Sequence, residues 1–158
     1  MRPMTLELTL VGDTQIVATR HFAAPPSLVY RAHIDPQIIR KWMIGSDGWT
    51  IDTISVDARV GGEFTYRYNG PDNDSFAITG TFMELDPGRR ILHVERMLFP
   101  DPTPDNRIET VFEAQGSGTL MTMTMTLPDA ETRQMLMDMG IQTGMEGSYA
   151  GLDAAVSA

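Results

Sequence analysis

The sequence predicts an α+β fold, an antiparallel sheet closed by a long amphipathic C-terminal helix. Extended segments punctuated by turn chemistry fill residues 49–127, and helical spacing appears only before and after them. The 158 residues suffice for one core, burying roughly 70% of the surface of the unfolded chain.

Residues 5–10 alternate polar and apolar with Leu6, Leu8 and Leu10 on one side, and Gly12-Asp13 turns the chain into a second extended run at 15–22. Ala24-Pro25-Pro26-Ser27 breaks that run. Leu28, Val29 and Ala32 then recur at helical spacing as far as Asp35-Pro36, and Pro36 opens a second short helix carrying Ile38, Ile39 and Trp42. Next come strands at about 50–58, 63–69, 75–85, 90–99, 107–114 and 119–127. They are separated by Val60-Gly61-Gly62, Asn69-Gly70-Pro71-Asp72, Asp86-Pro87-Gly88, residues 100–104 and Gly116-Ser117-Gly118. That makes six strands, or seven with the run ending at Phe22, in an antiparallel meander. After Pro128, Asp129 offers a cap and Glu131 an acid in the first turn. Met135, Leu136 and Met139 form one apolar stripe, and Met145, Tyr149, Leu152 and Val156 a second. The stripes centre about 115° apart on an ideal helix, so one straight helix would not aim both at a sheet. Gly140, Gly144 and Gly147 supply a place to bend or break.

Strand alternation sets faces. Phe64, Tyr66 and Tyr68 oppose Glu63, Thr65 and Arg67, and Met121, Met123 and Met125 oppose Thr122, Thr124 and Thr126. These methionines read either as plain core or as a ligand lining. Seven of the 12 methionines fall between Met121 and Met145, and flexible thioethers suit a surface that adapts to a guest.

Composition excludes several classes. Twelve Lys and Arg against 21 Asp and Glu give a net charge of −9, which disfavours a nucleic-acid footprint and an anionic membrane surface. Without cysteine there is no disulfide, thiolate nucleophile or Cys-ligated metal. Apolar runs are too short to cross a bilayer, and the N-terminus lacks a signal-peptide core, so a soluble cytoplasmic protein is expected. No phosphate-cradling glycine motif and no Gly-x-Ser-x-Gly occur; His21, His33 and His93 show no metal spacing. No cofactor or metal is expected. One polar constellation survives: His93 and Glu95, two apart on a strand, share a face with Met97. Trp42 and Trp49 flank residues 45–48, each read as a packing anchor, with Trp42 also placed to stand at a pocket mouth.

Arg20-His21-Phe22 with Ala24-Pro25-Pro26 and Val29-Tyr30, Asp35-Pro36 leading to Lys41-Trp42, and Asp57-x-Arg59-Val60-Gly61-Gly62-Glu63-Phe64 come in an ordered series. Gly80-x-Phe82-x-Glu84-Leu85-Asp86-Pro87, Arg90-Ile91-Leu92 with Glu95-Arg96, and Val111-Phe112-Glu113 with Gly118-Thr119-Leu120 continue it. In order and spacing this series resembles the START-like SRPBCC superfamily, in the AHSA-like branch similar to the C-terminal domain of the heat-shock protein 90 ATPase activator. The resemblance implies a helix-grip fold, of the START and Bet v kind, with seven curved strands around the C-terminal helix and an apolar cavity. It implies that His93, Glu95 and Met97 turn inward, His93 standing where an aromatic or aliphatic residue is commoner. The branch usually carries Gly-Trp before a Leu-Asp pair in its last helix; here Tyr149 takes the tryptophan's place ahead of Leu152-Asp153. Residues 1–13 form an extension outside the likeness, an added edge strand or a homodimer contact, before a single domain at 14–158.

The expected function is binding of a hydrophobic, lipid-like or amphipathic small molecule. Its lining would be Trp42, Phe64, Tyr66, Phe82, Met97, Phe112, Met121, Met123, Met125 and Tyr149, with His93 and Glu95 as polar anchors. Two alternatives stand beside it: an enzyme like the aromatic polyketide cyclases, with His93 or Glu95 as acid or base, and a protein-interaction module acting on a chaperone ATPase. No catalytic motif favours the enzyme.

Overall fold

The computed structural model describes residues 5–43, 49–98 and 102–157. Residues 45–48 between the two tryptophans, and 100–101 of the predicted turn at 100–104, lie outside the described residues. The described elements are β1 (Glu7–Val11), β2 (Gln15–Phe22), α1 (Pro26–Ala32), α2 (Pro36–Trp42), β3 (Thr50–Val56) and β4 (Glu63–Asn69). They continue with β5 (Ser75–Asp86), β6 (Arg90–Leu98), β7 (Asn106–Gln115), β8 (Gly118–Thr126), α3 (Ala130–Asp138) and α4 (Ile141–Ser157).

The strands form one antiparallel sheet of eight, not seven, in the order β1-β2-β8-β7-β6-β5-β4-β3. From β3 to β8 it is the expected meander, and β2 closes against the last strand. The additional strand comes from the segment set apart as an extension. Its alternation matches that of β2, so Glu7 to Val11 pair with Thr19 to Gln15 across the turn at Gly12, and Leu6 is buried in the core.

The single long C-terminal helix is likewise two helices. Asp129 caps α3 by accepting the Thr132 N–H at 2.7 Å, and Gly140, at φ +81°, separates α3 from α4. The left-handed backbone at that glycine turns the chain so that Leu136 on α3 and Tyr149, Leu152 and Val156 on α4 are buried, while Met135 and Met139 of the first expected stripe are exposed. Arg133 ties α3 to the β1–β2 turn by donating to the Gly12 carbonyl at 2.8 Å. The four helices and the eight-stranded sheet make an α+β fold consistent with a helix grip.

The core lies on the sheet face that carries Ile16, Ala18 and Phe22 of β2, Ile108 and Phe112 of β7 and the β8 methionines. Val29, Tyr30, Ile39, Trp42 and Leu152 cover it from the helices.

Candidate functional site

Antiparallel register puts directly paired residues on one face. Glu95 pairs with Gly80 on one side and Asn106 on the other, His93 with Phe82 and Ile108, and Met97 with Ile78. Ile108 and Phe82 are core, so the β6 triplet faces inward. Gly80 is required here. A Cβ on it would lie 2.5 Å from Phe64 Cζ and 2.3 Å from the Val94 carbonyl oxygen, so the Phe64 ring occupies the gap in the sheet. From there its ring centroid lies 5.3 Å from that of His93, with the rings nearly perpendicular at 85°, and 5.2 Å from that of Phe82.

His93 Nε2 and Glu95 Oε1 are 2.8 Å apart, and each side chain keeps 16% of its surface exposed. A carboxylate only accepts, so Nε2 carries the hydrogen; Nδ1 is buried without a partner. The hydroxyls of Tyr66, Tyr68 and Tyr149 feel this carboxylate. Burial raises all three pKa values and the Glu95 charge raises them further, that of Tyr68 to about 12.

Opposite stands a side chain the sequence reading missed as part of the site. His33, the residue after α1, donates from Nδ1 to the Val29 carbonyl at 2.8 Å and packs against Phe112, Trp42 and Tyr149 with centroids 5.1, 5.4 and 6.4 Å away. Burial pushes its pKa down to about 4, against the Val29 bond, and His93 lowers it further. Its Nε2 is buried and unpartnered, as is Oδ1 of Asn106 beside Glu95. Asn106 was legible in principle, since it alternates with Ile108 and Phe112. His33 offered only its i, i+3 spacing from Tyr30.

The twelve expected site residues therefore fall into three groups. His93, Glu95, Phe64, Tyr66 and Phe82 are brought together across β4–β6, with Met97 half-buried beside them. Trp42, Phe112 and Tyr149 surround His33. Trp42 does not stand at a mouth: it is 3% exposed, its indole N–H donates to the Ala32 carbonyl at 2.8 Å, and it stacks on Tyr149 at 6.1 Å. Met121, Met123 and Met125 are buried between β2 and β7, Met121 completely.

A second buried charge was also overlooked. Arg20 alternates with Ile16, Ala18 and Phe22 and so faces inward, 5% exposed, its guanidinium 4.8 Å from the centroid of the Phe22 ring and 3.9 Å from Asp153 of α4. Burial lowers its pKa, opposed by Asp153. On the outer face, Arg90 is taken up by Glu109 at 2.7 Å and Glu84 at 2.8 Å. Among the described residues no group of three or more His, Asp or Glu side chains is placed to hold a metal ion, and no helix is long and apolar enough to cross a membrane.

An eight-stranded antiparallel sheet with four helices makes an α+β domain consistent with a helix grip. The chain belongs to the "Activator of Hsp90 ATPase homolog 1-like protein" family, whose model matches residues 23–157. No curated protein matches it. Among solved structures it is similar to a protein from Rhodobacter sphaeroides at 22% identity and TM-score 0.86, covering 96% of this chain and 97% of that one. It is also similar to a protein from Mycobacterium smegmatis at 25% identity and TM-score 0.80, with 94% and 96% covered. A third, from Nitrosomonas europaea, has 23% identity and TM-score 0.81, with 94% and 97% covered.

Proposed function

We propose that this protein binds a hydrophobic or amphipathic small molecule between the inner face of its sheet and the helices, with the His93–Glu95 pair holding the polar end of the guest. The observation that carries the reading is the pair itself. Two polar side chains stand on an apolar face beneath the helix layer and still keep 16% of their surface accessible. A buried polar group without a full set of partners costs about 1–3 kcal/mol, so its place on this face calls for a partner. Half-buried Met97 and Ile78 beside the pair, and the aromatic rings of Phe64, Tyr66 and Phe82, supply the apolar wall.

The 2.8 Å His93–Glu95 contact also favours a second reading, an acid–base enzyme of the polyketide-cyclase type, because a carboxylate that orients an imidazole is the arrangement proton transfer needs. His93→Gln and Glu95→Gln separate the two. If the site only binds, each variant weakens binding of an identified guest by about tenfold, the scale of one buried polar contact. If it catalyses, turnover falls by about 100-fold or more. Guest binding and turnover that both variants leave unchanged would remove the pair from either role.

A further inference from the structure

Two of the buried side-chain atoms left without a partner, His33 Nε2 and Asn106 Oδ1, are acceptors. Glu95 uses Oε1 on His93 and, as a carboxylate, only accepts. His33 spends its Nδ1 hydrogen on the Val29 carbonyl, so its orphaned Nε2 is a lone pair, and burial keeps the ring neutral at physiological pH. His93 turns its Nε2 hydrogen to Glu95, and the orphaned atom of Asn106 is an amide oxygen. Tyr66, Tyr68 and Tyr149 bring hydroxyls that donate as well as accept, close enough to feel the Glu95 charge, but they bring no positive charge. Arg20 is the one Lys or Arg that the described strands turn onto this face. It lies on β2, separated from β6 by β8 and β7, and faces Asp153.

A head group entering here meets the Glu95 carboxylate, the unpartnered acceptors of His33 and Asn106, and no cation within reach of β6 among the described residues. Acceptor against acceptor leaves both unpaired, and carboxylate against carboxylate in a poorly solvated space is repulsive. Resting on the binding reading above, we propose that the interior selects an amphipathic guest whose head donates hydrogen bonds, a hydroxyl or an amine, and rejects one headed by a carboxylate. The apolar body lies against the aromatic wall, and the donor satisfies Glu95 and the nitrogen and oxygen atoms around it. Two of those atoms, His33 Nε2 and Asn106 Oδ1, have no solvent contact, so the head reaches them only beneath the helices.

Four probes with one body and different heads test this on the full chain: 2-naphthol, 2-naphthylmethylamine, 2-naphthoate and naphthalene, titrated at neutral pH by calorimetry. The naphthol or the amine should bind about tenfold or more tightly than naphthoate and naphthalene, the scale of one charge-assisted hydrogen bond. The better of the two tells a hydroxyl guest from an amine guest. Glu95→Gln keeps the shape and an acceptor oxygen but deletes the charge. It should close the gap to naphthoate by about tenfold and leave naphthalene unchanged. Naphthoate binding as tightly as naphthol to the unaltered protein overturns the head-group rule, as do four equal affinities, while both leave the binding reading standing. Binding of none of the four overturns the binding reading and this inference with it.

Discussion

His33 gives the protein a pH dependence of defined sign. Its folded pKa, about 4, lies below the unfolded value of 6.5, so between those limits the unfolded chain binds more protons and stability falls as pH drops. About 2 kcal/mol should be lost between pH 7 and pH 5. His33→Phe, which keeps the ring packing, should show that much less loss in urea unfolding at the two pH values; parallel losses would mean that His33 is not the group titrating. Gly80 makes a steric prediction. Gly80→Ala places a Cβ against a backbone oxygen at 2.3 Å, where nothing yields cheaply, and should lower stability by about 1–3 kcal/mol in the same assay. Half of this site was legible because strand period is 2: once His93 was on a face, Glu95 and Met97 followed, and the same rule would have placed Arg20 and Asn106. His33 was not, since its meeting with Phe112 depends on how a helix lies over a strand far away in sequence.

At the scale of elements, the strand limits were legible to within about two residues because Gly, Pro and Asn turns mark them. Where an edge strand belongs was less so: β1 is short, and only its register with β2 across Gly12 makes it part of the sheet. The break in the C-terminal helix was foreshadowed by two stripes that one axis could not serve, but three glycines were candidates and only Gly140 adopts a positive φ. The distinction yields predictions of opposite sign. Gly140→Ala should destabilise by about 1 kcal/mol, because a Cβ is forced into left-handed backbone. Gly144→Ala, inside α4 with open space around its Cβ, should stabilise by about 0.5–1 kcal/mol. Thermal unfolding of both variants checks the pair; a shift in the same direction for each would place the break elsewhere.

For the whole molecule, the large acidic excess is carried by exposed side chains, with Glu95 as the carboxylate set among the inward rings of β4–β6. The inward aim of the β6 face came from the family resemblance, whereas sheet order from β3 to β8 was written in the turns and the shared face of His93, Glu95 and Met97 in the alternation. The closing of β2 onto β8 and the meeting of α1, α2 and α4 around His33 were not, because they join segments more than a hundred residues apart. The methionines now report on location. Met97, Met121, Met123 and Met125 face the interior, whereas Met83, Met135 and Met139 are 49%, 42% and 56% exposed. Methyl NMR of methionine-labelled protein titrated with 2-naphthol therefore reads interior binding against surface binding. A guest held against the inner face shifts Met97 and the β8 methionines and leaves Met83, Met135 and Met139 unmoved; shifts confined to those three exposed methyls would overturn interior binding.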